Sequence, residues 1–389
     1  MKKLNIITGF LAILLFIGFF SFFSIINFVI DWWWFKEVGR TDVFIIPLFT
    51  KIIIFLIVSL ISALFLLLNF MQALKSKNSW VAVLPEALFG QPFSLESRTL
   101  KKIVIFGSLA FSLFFGLVMS SSWQEVIKFF NMVSFGQYDP IFKKDIAFYI
   151  FSLPFFNIIL IIFKTVVFIS LIGILLIYFL KGDLNFGDFL YKVGFSDLKV
   201  KNKYQITPKV RFHIALILFL FFIVYALDVY FSLFKLVFSQ NGPVFGGSYT
   251  DINLKAPMIQ IYVFLILIFA FFILFWGISG KIFPVFFSLA LYFFFSIALT
   301  ILPPIFQRLV VAPNELAKET PYIKNNIIAT RNAYRLDRIE EREITADKPL
   351  TSADIANNQL TIKNIRLWDR EPLLSTFSQI QEIRTYYEF

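Results

Sequence analysis

Long apolar stretches with almost no charged residues constrain the fold of this chain more than any other feature. A helix needs about 20 mostly apolar residues to cross a bilayer, because the hydrocarbon core is about 30 Å thick and each residue rises about 1.5 Å. Seven stretches reach this length: Asn5–Ile30, Phe44–Met71, Ile103–Ser122, Pro154–Leu180, Phe212–Phe238, Met258–Ser279 and Ile282–Phe306. Barrel strands do not fit these stretches, which lack an alternation of apolar and polar residues. The sequence therefore predicts an all-α polytopic membrane bundle with about seven transmembrane helices.

The composition excludes several classes of protein. Of the 389 residues, 58% are hydrophobic and only 16% are charged, whereas an average soluble domain has about 25% charged residues. A soluble enzyme, a disordered chain and a disulfide scaffold are therefore excluded. Cysteine is absent and histidine occurs once, so thiolate chemistry is excluded and any histidine-based site depends on His213.

The net charge of +11 indicates how the chain is oriented in the membrane. The N-terminus and the segments after the second, fourth and sixth predicted helices carry about twice as many Lys and Arg residues as the loops on the other side. Because positive residues stay in the cytoplasm, we expect a multi-pass protein of the plasma (inner) membrane with a cytoplasmic N-terminus and an extracytoplasmic C-terminus. The first apolar stretch is too long for a signal peptide and lacks a small-residue cleavage site, so we expect it to be retained.

The longest basic loop, 181–211, mixes lysines with Phe, Leu and Tyr residues. Such a composition is typical of a segment that lies on anionic lipid. Nucleic acid is not expected as a partner, because no nucleic-acid-binding module is visible. The expected partners are the lipid bilayer, anionic lipid at the basic cytoplasmic loops, and an envelope protein or a second copy of this chain.

The composition changes sharply after Phe306, where acidic and basic side chains become balanced. We therefore divide the chain into a transmembrane domain, 1–306, and an extracytoplasmic soluble segment, 307–389. Capping signals predict three helices, which begin at Thr320, at Thr351 or Ser352, and at Asp369. Together with a strand expected over Glu341–Thr345, these helices predict the start of an extracytoplasmic α+β domain. At about 80 residues the segment is small for a core of its own, and we expect it to be incomplete.

Two outer loops, 134–155 and 242–251, contain glycine and proline turn signals. We favour tight packing of both loops against the bundle over a binding site. Their carboxylates Asp139, Asp145 and Asp251 are candidate oxygen ligands for Ca²⁺, but their spacing matches no EF-hand loop. We therefore expect turn and capping roles for them, and no metal site.

Charged residues at membrane depth are the best functional candidates, since burial is costly unless they are paired or hydrated. Lys51, Lys164 and Asp228 form this candidate intramembrane charged cluster. Lys164 and Asp228 each lie about 15 Å below the outer ends of their helices, and Lys51 lies about 10 Å below. Opposite charges at one depth predict a Lys164–Asp228 ion pair. In the alternative, the fifth helix leaves the membrane near Leu227, so that Asp228 lies at the interface and meets Lys235. The side chains of Lys51 and Lys164 then extend to the interface.

No catalytic constellation is visible in the sequence. His213 lies at the cytoplasmic start of the fifth helix, where we expect an interfacial position rather than a catalytic one. Ser120–Ser122 lie on a side that offers no histidine as a general base. We therefore predict no catalytic, cofactor-binding or metal-binding residue, and we favour a protein that is not an enzyme.

Several stretches of the chain resemble one bacterial family. They are Asp31–Gly39, Ser134–Phe142, Phe148–Pro154, Val244–Asp251, Pro313–Leu316, Glu319–Ile323, Asn364–Asp369 and Gln381–Tyr387. Together they resemble the integral membrane proteins called Uncharacterised Protein Family 0182, and the resemblance covers essentially the whole chain. It implies about seven N-terminal spans, a much larger soluble domain beyond them and no established activity. It also implies that this chain is the N-terminal part of such a protein, since relatives continue well beyond the tyrosine pair.

Two functions fit these observations. The preferred one is a non-enzymatic structural or assembly role in the cell envelope, exerted through the outer domain. The alternative is a transporter or channel that uses Lys51, Lys164 and Asp228. A polar path between the second, fourth and fifth helices would favour transport, and a packed apolar bundle with an adhesive outer face would favour the structural role. No internal repeat is obvious, which counts slightly against transporter folds built on inverted repeats.

Overall fold

The structure is a computed structural model that describes residues 22–75, 82–84, 93–95, 97–181, 183–184, 206–343, 349–366 and 368–381. Within these ranges, six helices are long and apolar enough to cross a membrane. They are Thr41–Leu74, Arg98–Ser121, Phe148–Leu180, Pro208–Phe238, Asp251–Ser279 and Phe283–Tyr334. The multi-pass helical architecture is thereby confirmed, and these six helices correspond to predicted spans two to seven. The first predicted span, 5–30, lies largely outside the described residues, and a count of seven spans stays a prediction.

The membrane part contains nine described helices. In chain order they are α1 (22–37), α2 (Thr41–Leu74), α3 (Ser97–Ser121), α4 (Trp123–Phe130), α5 (Leu153–Leu180), α6 (Pro208–Ser232), α7 (Ala256–Ser279), α8 (Phe283–Phe306) and α9 (Glu315–Tyr334). Single π-helical turns lengthen three of them: Phe148–Ser152 before α5, Asp251–Lys255 before α7 and Gln307–Val311 after α8. Between α2 and α3, β1 (Ala82–Leu84) and β2 (Phe93–Leu95) form a short antiparallel pair.

Small residues allow α2 and α3 to approach closely. Ser108, Ser112 and Gly116 follow one another at four-residue spacing on α3, and both serines are fully buried. A Cβ added at Gly116 would collide with the Ser59 hydroxyl and lie 2.7 Å from the carbonyl oxygen of Phe55 on α2. Helices in lipid gain little from the hydrophobic effect and instead associate through such close packing. The row of small residues on α3 therefore explains why α2, although almost uniformly apolar, packs against α3 in particular.

We expect Gly116→Ala to lower the free energy of unfolding by about 1–3 kcal/mol, because the added methyl group meets a backbone atom that moves only with the whole helix. Thermal unfolding in detergent micelles measures the change. Gly107→Ala is the matched control on the same helix, since nothing lies within 4 Å of a Cβ there. Equal stabilities for the two variants would contradict the packing argument.

The interior between α2, α3, α5 and α6 is apolar. Leu66, Ile174 and Ile217 have at most 1% of their surface exposed and belong to one buried cluster. Smaller clusters join α6 to α7 and α8, for example Ala226 with Ile266. The rest of the α8 surface is largely exposed, and the many phenylalanines on it suit contact with lipid.

Contacts between helix ends show that α2 and α5 end on the same side of the bundle, and that α6 begins where α7 ends. At one end, Lys181 Nζ donates to the carbonyl oxygen of Leu74 at 2.7 Å, and Arg211 donates to the carbonyls of Gly277 and Ile278 at 3.1 and 3.2 Å. These basic groups satisfy carbonyls that α2 and α7 leave open at their C-termini, where the helix dipole also favours positive charge.

The segment after the bundle corrects one expectation. The helix predicted to begin at Thr320 begins at Glu315, so Pro321 lies inside α9. Thr320 is not a cap, because its hydroxyl donates back to the carbonyl of Leu316. The chain also divides into two compact units between Thr330 and Arg331. The division into a transmembrane domain, 1–306, and an outer segment, 307–389, stays a prediction.

The second unit, as far as it is described, consists of helices and loops. Its α-helices are α10 (Ser352–Asn357), α11 (Gln359–Asn364) and α12 (Arg370–Gln381). Thr351 caps α10 as predicted, since its hydroxyl accepts the Asp354 N–H at 3.3 Å and the Asp354 side chain accepts the Thr351 N–H at 3.0 Å. Residues 341–343 have no regular structure and 344–348 are outside the described residues. The strand is therefore not found, and the expectation of an α+β domain is not supported.

Candidate functional site

The structure brings two of the three candidate charged residues together. Lys164 on α5 forms an ion pair with Asp228 on α6, and the two side chains are 29% and 23% exposed. The Lys164 ammonium also lies 6.0 Å from the centre of the Tyr225 ring. The carboxylate neutralises the lysine between two helices that are otherwise apolar, which lowers the cost of placing either charge there.

Lys51 has a different partner. Its ammonium lies 5.4 Å from the centre of the Trp123 ring at the start of α4, within the range of a cation–π interaction. Among the described residues it makes no ion pair. The three candidates therefore do not form one charged cluster, and Lys51 connects α2 to α4 instead.

His213 is buried inside the protein, and its expected depth at the membrane interface stays a prediction. It is 2% exposed, with Nδ1 2.7 Å from the Tyr178 hydroxyl and Nε2 3.1 Å from Asn69 Oδ1. The Asn69 amide nitrogen donates to the carbonyl of Phe65, which leaves its oxygen to face the imidazole. A neutral histidine satisfies both contacts if it donates to Asn69 through Nε2 and accepts from Tyr178 through Nδ1. Both nitrogens are occupied by neutral groups on α2 and α5, so the network favours helix packing over catalysis.

A buried carboxylate that the sequence did not single out as a candidate site holds the 242–255 loop. Glu319 on α9 is fully buried, and its oxygens accept the backbone N–H of Tyr249 at 3.0 and 3.2 Å. Beside it, the Asn253 amide donates to the Tyr322 hydroxyl at 2.9 Å. We call Tyr249, Asn253, Glu319 and Tyr322 the loop latch. Its partners are about 70 residues apart in sequence, so no local pattern predicts it.

The three loop aspartates have turn roles. Asp139 accepts from the Tyr149 hydroxyl at 3.1 Å, and the buried Asp251 accepts from the Ser248 hydroxyl at 3.0 Å. Asp145 accepts backbone N–H groups from Gly136 and Ala147 at 3.1 and 2.7 Å. The described residues contain no group of three His, Asp or Glu side chains that could hold a metal ion.

Hydrogen bonds lower the pKa of Asp145 below its usual value of 3.8, chiefly the bond from the Ser134 hydroxyl and then the backbone N–H of Ala147. A lowered folded-state pKa contributes stability above the unfolded value, and this contribution is lost as the pH falls through the folded value. We therefore expect the Ala147 amide to lose protection from hydrogen exchange below about pH 4. Asp145→Asn should show weaker protection that no longer varies over this range, whereas an equal pH dependence in both proteins would refute the assignment.

The family model of the uncharacterised protein family UPF0182 matches residues 7–389. This chain belongs to that family. UPF0182 proteins of Pelobacter propionicus, Geotalea uraniireducens and Cupriavidus necator are 32%, 34% and 35% identical to it, over 94%, 94% and 93% of its length. No solved structure matches the chain.

The lengths of these UPF0182 proteins differ from that of the chain. The alignments cover 39%, 40% and 38% of the relatives, so the chain spans about two fifths of the curated proteins it matches. The family match itself runs to residue 389, the last in the chain, and so gives no support to the expectation of an N-terminal part, which we withdraw. Two stretches on which the UPF0182 resemblance rests, Val244–Asp251 and Glu319–Ile323, are in contact through the loop latch.

Proposed function

We propose that this UPF0182 chain has a non-enzymatic structural or assembly role in the cell envelope, as a plasma-membrane anchor for an outer segment. The loop latch is the observation that carries this proposal. Through it, the helix that leaves the bundle is tied back to the 242–255 loop by a fully buried carboxylate. Such a contact suits a protein that must hold a segment in a fixed direction outside the membrane.

The path of the chain supports an anchoring role. From Phe283 to Tyr334 the chain is helical almost without interruption and passes through π-helical and 3₁₀ turns near residue 310. Asn326 on α9 also donates to the carbonyl of Phe245 at 2.8 Å. The 242–255 loop therefore contacts α9 at several points, within the loop latch and at Asn326, and residues 331–389 follow this helix in sequence.

Transport through Lys51, Lys164 and Asp228 is the alternative, and the Lys164–Asp228 ion pair is the observation in its favour. Two others weigh against it. Apolar side chains such as Ile174 and Ile217 fill the space between α2, α5 and α6, and Lys51 lies on Trp123 rather than with the pair. A half-buried ion pair that neutralises its own charges is also expected of a helix contact that has no transport role.

The proposed orientation has a cytoplasmic N-terminus and an extracytoplasmic loop latch. The excess of basic residues on one side supports it, as do Lys181 and Arg211, which both lie at that end of the bundle. Anionic lipid is the proposed partner there. An envelope protein or a second copy of the chain is the proposed partner on the other side.

A complementation experiment separates the two functions. The chain is returned to a bacterium that lacks its own UPF0182 protein, and envelope integrity is measured as resistance to detergent and osmotic shock. We expect Glu319→Ala to fail and the charge-free double variant Lys164→Met/Asp228→Asn to restore resistance, with membrane levels of both variants checked by immunoblot. The opposite pattern would support transport and refute the anchoring role.

A further inference from the structure

A cavity of about 490 Å³ with both polar and apolar lining residues opens between α6, α7 and α8. Its lining combines two lysines with hydroxyl and amide groups and an apolar wall, and it contains no acidic residue. The polar lining residues are Tyr225, Ser232, Lys235, Ser239, Gln240, Asn241, Lys255, Tyr262, Ser296 and Thr300. The volume falls in the range of small-molecule sites, about 300–1,000 Å³.

Both lysines have hydrogen-bonding capacity left for a ligand. Lys235, in the 3₁₀ turn after α6, is exposed and makes no ion pair with any described residue. Lys255 lies 3.8 Å from Asp251, which is longer than a hydrogen bond. The other oxygen of the Asp251 carboxylate, Oδ2, accepts from the Ser248 hydroxyl and, at 3.3 Å, from the Ser248 N–H. The rim of the cavity therefore carries one ammonium without an ion-pair partner among the described residues, Lys235, and a second, Lys255, whose N–H donors are not hydrogen-bonded to the Asp251 carboxylate with which it is paired.

The deeper part of the cavity is built differently. Tyr225 and Tyr262 line it, and the ring of Tyr262 stacks on that of Tyr292 on α8 with 5.4 Å between the ring centres. Val229, Ile259 and Leu299 form an apolar wall. Tyr262 follows Lys255 by seven residues of helix, which is about 10 Å along the helix axis. The cavity therefore extends from a cationic rim toward a more apolar interior.

We propose that this cavity binds a phosphate group, with Lys235 and Lys255 as its cationic contacts. A phosphate offers acceptor oxygens and negative charge, which complements a rim of ammonium and amide donors without a competing carboxylate in the lining. The phosphate belongs either to the head group of an anionic phospholipid, whose chains lie along the apolar wall, or to a small soluble phosphate compound. This site is separate from the loop latch and from the Lys164–Asp228 pair.

Native mass spectrometry of the full chain in a neutral detergent tests the proposal. One arm titrates phosphatidylglycerol against phosphatidylcholine of the same chain length, and the other titrates inorganic phosphate and glycerol phosphate. The variants are Lys235→Gln, the double variant Lys235→Gln/Lys255→Gln and, as a control, Lys143→Gln on an exposed loop outside the cavity. Thermal unfolding confirms that each variant is folded.

We expect saturable binding of phosphatidylglycerol or of a soluble phosphate compound to the wild type, weakened about tenfold or more in the double variant and less in Lys235→Gln. Lys143→Gln should bind as the wild type does. Saturation in the lipid arm alone identifies a head group, and saturation in the soluble arm identifies a small phosphate compound. Absence of saturable binding in both arms, or equal binding by the wild type and Lys235→Gln, would overturn the proposal.

Discussion

Replacing Glu319 with alanine should lower the free energy of unfolding by about 3 kcal/mol. The Tyr249 N–H would lose its acceptor, which costs about 1–3 kcal/mol, and the vacated volume adds to that cost. Glu319 is fully buried and both of its oxygens accept from this one N–H group. Reversible unfolding in mixed micelles measures the difference.

Two variants serve as comparisons for Glu319→Ala, and both should destabilise the protein less than it does. Glu319→Gln keeps the volume and one acceptor oxygen, so we expect about 1 kcal/mol of destabilisation. Glu315→Ala removes the same side chain one turn earlier on α9, where the glutamate is exposed, and should cost less than about 0.5 kcal/mol. If Glu315→Ala destabilises as much as Glu319→Ala, the loop latch contributes nothing specific.

Hydropathy predicted the membrane helices well because each span is a local property of the sequence. The fourth predicted span, Pro154–Leu180, differs by one residue from α5, Leu153–Leu180, and the seventh, Ile282–Phe306, differs by one from α8, Phe283–Phe306. The differences lie at the ends, where π-helical turns such as Asp251–Lys255 prolong a helix beyond its apolar stretch. Hydropathy does not distinguish such a turn from a loop.

The side-chain networks were harder to predict, because their partners are distant in sequence. His213 lies next to Arg211, which suggested an interface, while its partner Asn69 is 144 residues away. Glu319 lies just before the helix cap predicted at Thr320, in a segment that the composition predicted to be soluble. The Lys164–Asp228 pair was accessible to sequence reasoning for a physical reason, since a charge in lipid needs a partner at its own depth and few candidates exist.

Removing either member of the Lys164–Asp228 pair should destabilise the bundle more than removing both. Lys164→Met leaves a carboxylate without a partner between α5 and α6, and Asp228→Asn leaves an ammonium without one. We expect about 2 kcal/mol of destabilisation for each single variant, since an unpaired charge at membrane depth costs about 2.5–3.5 kcal/mol at the helix centre and less nearer its end. The double variant loses the attraction and both desolvation costs together, so we expect it to lie within about 1 kcal/mol of the wild type.

A double-mutant cycle in bicelles measures the coupling, with Lys51→Met as the control for loss of a lysine that has an aromatic partner. Additive effects of Lys164→Met and Asp228→Asn would mean that the two charges act independently and would contradict an ion pair that joins the helices. A coupling energy of about 2 kcal/mol or more indicates that each charge stabilises the bundle only when the other is present. A double variant that is both stable and active in the envelope would then show that the pair holds α5 against α6, and that transport is not needed to explain two charged residues in this part of the membrane bundle.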